Sequence, residues 1–216
     1  MALLPVKGSI PEGAIKLNRN EAFKYQYQQI KNWPHFSDIW SFKVGVPMLA
    51  GLAGISALMI NRHFRIKLKL RRDGLIVSQI ATAISSIMFA TAPHLTYITQ
   101  DLLLRITPCP LCIETRAGFL QVAGAVLYPC ISAPLANFVI AARIGSYRLP
   151  HFANGQEILK LWLKFMKPMR DKFLMLTVIN FMFAGCITYA EAKSVHTIRM
   201  KMLELANQAR EENENK

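Results

Sequence analysis

Four stretches of this chain contain no Asp, Glu, Lys or Arg: residues 44–60, 75–97, 117–142 and 173–190. A helix crosses the hydrocarbon core of a bilayer with about 20 apolar residues, and about 17 is the lower limit. Inside lipid the backbone must satisfy its own N–H and C=O groups, so each run is expected to be helical. The predicted fold is therefore all-α: a polytopic membrane protein with a bundle of four transmembrane helices. The spans fall at about 44–60, 75–97, 117–140 and 173–190. They form a domain over 42–190, between a polar N-terminal segment (1–41) and an amphipathic tail (191–216). Composition agrees, with 52% hydrophobic and 18% charged residues, against about 45–50% and 25% in soluble domains.

The charges sit between the runs. The formal net charge is +13, which implies a partner in nucleic acid or an anionic membrane surface. The connection at 61–74, NRHFRIKLKLRRDG, holds Arg62, Arg65, Lys67, Lys69, Arg71 and Arg72 against Asp73, a net +5. The connection at 143–172 is also +5, the 99–116 loop is neutral, and residues 1–43 carry +3. Because the basic segments join spans, an anionic lipid surface is expected and nucleic acid is not. In the N-terminal segment Lys7, Lys16, Arg19, Lys24 and Lys31 suit a mitochondrial presequence, but Glu12 and Glu21 oppose a cleaved one. A helix is expected over 20–31.

Within the runs, Ala50 and Gly54, then Ala53 and Ala57, are spaced four apart. Small residues at that spacing admit a neighbouring helix. Gly118 and Gly124 are candidate contact points of the same kind. Ser78, Thr82 and Ser86 offer hydroxyls for hydrogen bonds across helices. His94 is the only basic side chain of the second run, and no second His, Asp or Glu stands at ligand spacing from it. Pro129 and Pro134 are expected to kink or break the third run, the part beyond Pro134 leaving the bilayer.

Residues 156–167 place Lys160, Lys164 and Lys167 on one helical face and Ile158, Trp162 and Phe165 on the other. Three lysines exclude a fifth span, since each costs about 2.5–3.5 kcal/mol at the bilayer centre. The expectation is an interfacial amphipathic helix, its aromatic face in the acyl boundary and its N-terminus boxed by Asn154 and Glu157. The tail repeats Val195, Ile198, Met202, Leu205 and Ala209 as a helical stripe. It is read as a surface helix fraying into EENENK.

The chemistry on offer is narrow. Cys109-Pro-Leu-Cys112 has the spacing of a redox pair, and Cys109 and Cys112 are also a candidate structural disulfide. A thiol relay to a substrate needs a second reachable pair. The other cysteines, Cys130 and Cys186, fall inside the spans. Zinc needs about four ligands, and no partner for the motif is found. No nucleotide loop, Ser/His/Asp set or paired catalytic carboxylates is present. No enzyme, cofactor or metal site is expected, and the charge-free spans argue against an ion pump.

The motif C-x-x-C-x-x-T-R-x-G at 109–118 is followed by Gly124 and Leu127-Tyr128-Pro129. Leu135, Asn137, Ala141-Ala142-Arg143, Leu149-Pro150-His151, Gly155, Trp162 and Lys167-Pro168 continue the pattern. Together they resemble the transmembrane protein 126 family. The resemblance covers about residues 44–189 and implies a four-span protein of the mitochondrial inner membrane, an assembly factor for the membrane arm of respiratory complex I. The partners it implies are complex I membrane-arm subunits and other complex I assembly factors. Anionic lipid, cardiolipin included, is expected from the charge. The rival expectations are a membrane thiol oxidoreductase and a stable structural subunit. Four spans put both termini on one side, and the positive-inside rule puts the two +5 connections on the other. The termini and the Cys109 loop are then expected in the intermembrane space.

Overall fold

The computed structural model describes residues 17–150 and 154–214. Residues 1–16, which hold Lys7, Glu12 and Lys16 of the residues bearing on a presequence, and His151 of the family pattern lie outside the described residues. So does the end of EENENK at 215–216. The described residues form helices and connecting turns, with no strand among them.

A short helix, α1 (Arg19–Lys31), opens the described chain. Asn18 and Glu21 close a capping box there, each side chain accepting from a backbone N–H of the other's turn. The four membrane-length helices are α2 (Phe36–Lys67), α3 (Leu75–Leu104), α4 (Pro110–Ile144) and, after the short α5 (Gly155–Met166), α6 (Arg170–Glu214). All exceed what a bilayer needs. The uncharged runs are thus only the middle portions of longer rods. At 1.5 Å per residue, the 45 residues of α6 span about 68 Å. The tail is therefore not a separate surface helix: it continues the fourth span without a break.

The helices run up and down. At one end Asp38 of α2 holds Lys201 of α6 at 2.6 Å, Ser41 donates to Ser194, and Arg199 donates to the Leu103 carbonyl at the end of α3. At the other end the 68–74 turn meets the end of α4 through Ser146, which donates to the Leu68 carbonyl at 3.1 Å. The main core lies between α2, α4, α5 and α6, around Ile60, Phe64, Val126, Phe138 and Phe165. A second cluster near the termini joins Ile39, Ile98, Ile113, Val195 and Ile198. Outside, Ile76, Val77, Ile84, Met88, Ile131, Leu174 and Met182 are exposed, as lipid-facing residues must be.

Two sequence expectations change for one physical reason. The prolines of α4 do not break the helix, and α5 packs its aromatic face against the bundle rather than leaving it free for the acyl boundary. Proline lacks the N–H that should bond the carbonyl four residues back. For Pro134 that carbonyl belongs to Cys130, and the Trp162 indole donates to it instead, at 2.9 Å. Trp162 is thereby held against the bundle, with Ile158, Leu161 and Met166 half-buried and Phe165 buried beside it. Pro129 is prepared for by a π-helical turn at Ala123–Leu127. There Tyr128 N–H reaches back to Ala123, which leaves the Gly124 carbonyl without its usual donor. Ser86 of α3 supplies one at 2.8 Å. Asn154 does stand at the N-cap of α5, but its side chain makes no capping bond.

Candidate functional surfaces: a packed interior, a thiol end and a basic end

The small residues lie at helix crossings. Gly54 is buried, and a Cβ there would stand 3.2 Å from Ile87 of α3. Ala53 and Ala57 are fully buried, and Ala50 is half-buried. A Cβ on Gly118 would meet the Phe181 ring at 2.6 Å. One on Gly124 would meet the backbone of Phe89 and Ala90 at 2.5–2.6 Å, so α3 and α4 touch main chain to main chain. Of the hydroxyls, Ser86 bridges α3 to α4, and Ser78 accepts from Arg65 at 2.8 Å. Thr82 is buried but donates to the Ser78 carbonyl of its own helix, so it makes no bond across helices.

Polar residues that sequence reasoning passed over tie the interior together. Asn137 donates to Asn61 at 2.6 Å. Asn180 donates to Ser56 at 2.9 Å, and Gln121 donates to the Leu49 carbonyl at 3.0 Å. His94, read as solitary, faces Glu191 at 3.3 Å, and both are buried. Glu191 lies just beyond the fourth uncharged run. The α6 rod carries it inward rather than out to the surface. The available signal was the hydrogen-bonding side chain inside or beside an apolar run, because such groups demand partners away from water.

At the terminal end Asp101 is buried and gathers three elements. Arg19 of α1 reaches it at 3.1 Å, Arg116 of α4 forms a closer ion pair, and Arg116 also donates to the Tyr97 carbonyl. This clamp fixes the loop that carries the cysteines. Pro110 takes the first position of α4, where its missing N–H costs nothing, and Cys109 precedes it as N-cap. Cys109 and Cys112 stand as free thiols. Cys112 Sγ–H donates to Cys109 Sγ, the sulfurs 2.7 Å apart. That bond, helped by the backbone N–H groups of Cys112 and Leu111, holds the Cys109 thiol below its ordinary pKa. Cys112 is exposed, Cys130 is buried, and Cys186 lies on the outside of α6.

At the opposite end the basic residues divide. Arg62, Lys67, Lys69, Arg71, Arg72, Lys160, Lys164 and Lys167 are exposed. Arg65 is not: it is buried, donating to Ser78, to the Arg71 carbonyl at 3.2 Å and to the Asp73 carbonyl at 2.8 Å. Its expected part in facing lipid or a partner is corrected to an internal one. Lys69 and Arg71 adopt positive φ of 54° and 40°, a conformation that disfavours L side chains by about 1–2 kcal/mol each. The Arg65 guanidinium secures the turn that imposes it. Gly74, at φ 61°, completes the turn without that penalty. His63 ties α5 to the same end, its Nε2 at 2.9 Å from the Phe165 carbonyl.

A family model described as Transmembrane protein 126 matches residues 20–209. A Drosophila melanogaster protein described as "Transmembrane protein 126" is 30% identical over 215 residues, covering 98% of this chain and 96% of that protein. No solved structure matches significantly.

Proposed function

This chain belongs to the transmembrane protein 126 family, and we propose that it is a non-enzymatic assembly factor for the membrane arm of respiratory complex I, seated in the mitochondrial inner membrane. The observation that carries a binding role is the division of its surfaces. Close contacts at Gly54, Gly118 and Gly124 seal the bundle within. The outer face of α3, with Ile76, Val77, Ile80, Ile84 and Met88, stays open to neighbours in the membrane. Complex I membrane-arm subunits and other assembly factors are the partners in this reading. The basic end faces the matrix, and the termini and Cys109 loop face the intermembrane space. Complexome profiling tests the role. Comigration with membrane-arm intermediates and absence from the finished enzyme is the expected pattern. Presence only in the finished enzyme would make the chain a structural subunit instead, and comigration with neither would sink both.

A second reading is a membrane thiol oxidoreductase. The 2.7 Å sulfur separation and the lowered Cys109 thiol favour it. Against it, Cys130 is buried in the core and Cys186 lies on the outer face of α6, so neither is placed as an obvious relay. Replacing Cys109 and Cys112 by serine is expected to leave complex I levels near normal. A stable double variant that accumulates reduced client thiols would reverse the order of the two readings.

A further inference from the structure

Two grooves open at the basic end, on either side of Arg62. The first, about 650 Å³, lies between the end of α2 and the start of α3 and is lined by Arg62, Arg65, Lys69 and Arg71 with Ile66 and Leu75. The second, about 370 Å³, lies between α2 and α6 and is lined by Arg62, His63 and Lys172 with Met169 and Leu176. Arg62 and Ile66 belong to both. Among the described residues, none of Arg62, Lys69, Arg71 and Lys172 has an ion-pair partner. Arg65 also lines the first groove, where its three hydrogen bonds to Ser78 and to the Arg71 and Asp73 carbonyls hold it in place.

We propose that these grooves bind one anionic phospholipid with two linked phosphodiesters, one phosphate in each groove and Arg62 between them. Charge alone would suit any phosphate. Position selects the lipid: the grooves sit where two apolar helices end, and exposed apolar side chains lead away from both. Ile76, Val77 and Ile80 run down α3 from the first groove, and Met59 and Ile55 run along α2 beside the second. These are tracks for acyl chains, which a soluble phosphate would not use. The shared arginine selects two phosphates over one. A guanidinium presents five donors in a planar fork, so it can serve two phosphate groups on opposite edges. The site does not depend on the assembly role and would stand if that role failed.

The test is native mass spectrometry of the full-length protein in detergent, titrated with cardiolipin and, separately, with phosphatidylglycerol at equal phosphate. Cardiolipin is expected to bind more tightly. Arg62→Gln should bring its affinity down to that of phosphatidylglycerol. Lys172→Gln, at an exposed position that leaves the core untouched, should weaken cardiolipin about fivefold, the effect of one cation at a membrane surface. Lys160→Gln, on the α5 stripe outside both grooves, should leave the preference intact. Equal affinity for the two lipids in the native protein would overturn the proposal. So would unchanged cardiolipin binding in a folded Lys172→Gln variant, or displacement of cardiolipin by millimolar glycerophosphate.

Discussion

At Gly124 a single hydrogen atom separates two helices. A Cβ there would lie 2.5 Å from the Ala90 nitrogen, and backbone cannot swing aside as a side chain can. Gly124→Ala is expected to destabilise by about 1–3 kcal/mol, as overpacking does, despite the gain in helix propensity. Gly51→Ala, with nothing within 4 Å of the added carbon, should be neutral or slightly stabilising. Thermal unfolding in detergent separates the two. His94 and Glu191 supply a second case. Both are buried, and each is the other's only hydrogen-bonding side chain among the described residues. Removing one member leaves the other buried without a hydrogen-bonding partner, which costs about 1–3 kcal/mol. His94→Leu and Glu191→Leu should each lower the melting temperature more than half as much as the double variant does. Strict additivity would show that the two side chains do not interact.

For the elements, helix continuity depends on what lies beside each proline. Trp162 serves the Cys130 carbonyl that Pro134 leaves open. Trp162→Phe keeps an aromatic ring against the core but removes the donor, and a buried carbonyl left unpaired costs about 1–3 kcal/mol. Pro134→Ala restores a backbone N–H, so the combined variant should lose less than the sum of the two single losses. A double-mutant cycle with zero coupling would disconnect the tryptophan from the proline. The same relation explains why α5 was legible as a helix but not in its placement. Its lysine face is exposed, as the pattern requires. Its aromatic face was expected to meet lipid because lipid and protein core are equally apolar, and periodicity cannot tell one from the other.

For the whole molecule, charge sets the expected orientation. The two basic connections total +10, against +3 for the N-terminal segment and zero for the 99–116 loop and the tail. An inward-negative potential adds about 2.3 kcal/mol per charge per 100 mV. With the chain in the mitochondrial inner membrane, as proposed above, protease added to mitoplasts with that membrane intact should digest a tag placed after Lys216. It should spare the 143–172 connection. A protected tag with a cleaved connection would invert the arrangement and put Cys109 and Cys112 in the matrix.

The four membrane helices, their up-and-down order and the basic end follow from the sequence alone. They depend on the mean polarity of long runs and on charge counts between them, which are properties of chain segments against their solvent. Which polar groups meet is decided only in three dimensions. Asn61 and Asn137 are 76 residues apart, and His94 and Glu191 are 97 apart. Their encounters depend on how far each rod extends and how it is rotated about its axis. The lengths of α2 and α6 were hidden because the uncharged runs stop before the helices do, so Glu191 looked external. Arg65 looked like its neighbours for a related reason. A charge pattern has no means of showing that one cation of six turns inward to bind carbonyls whose turn exists only once the helices have packed.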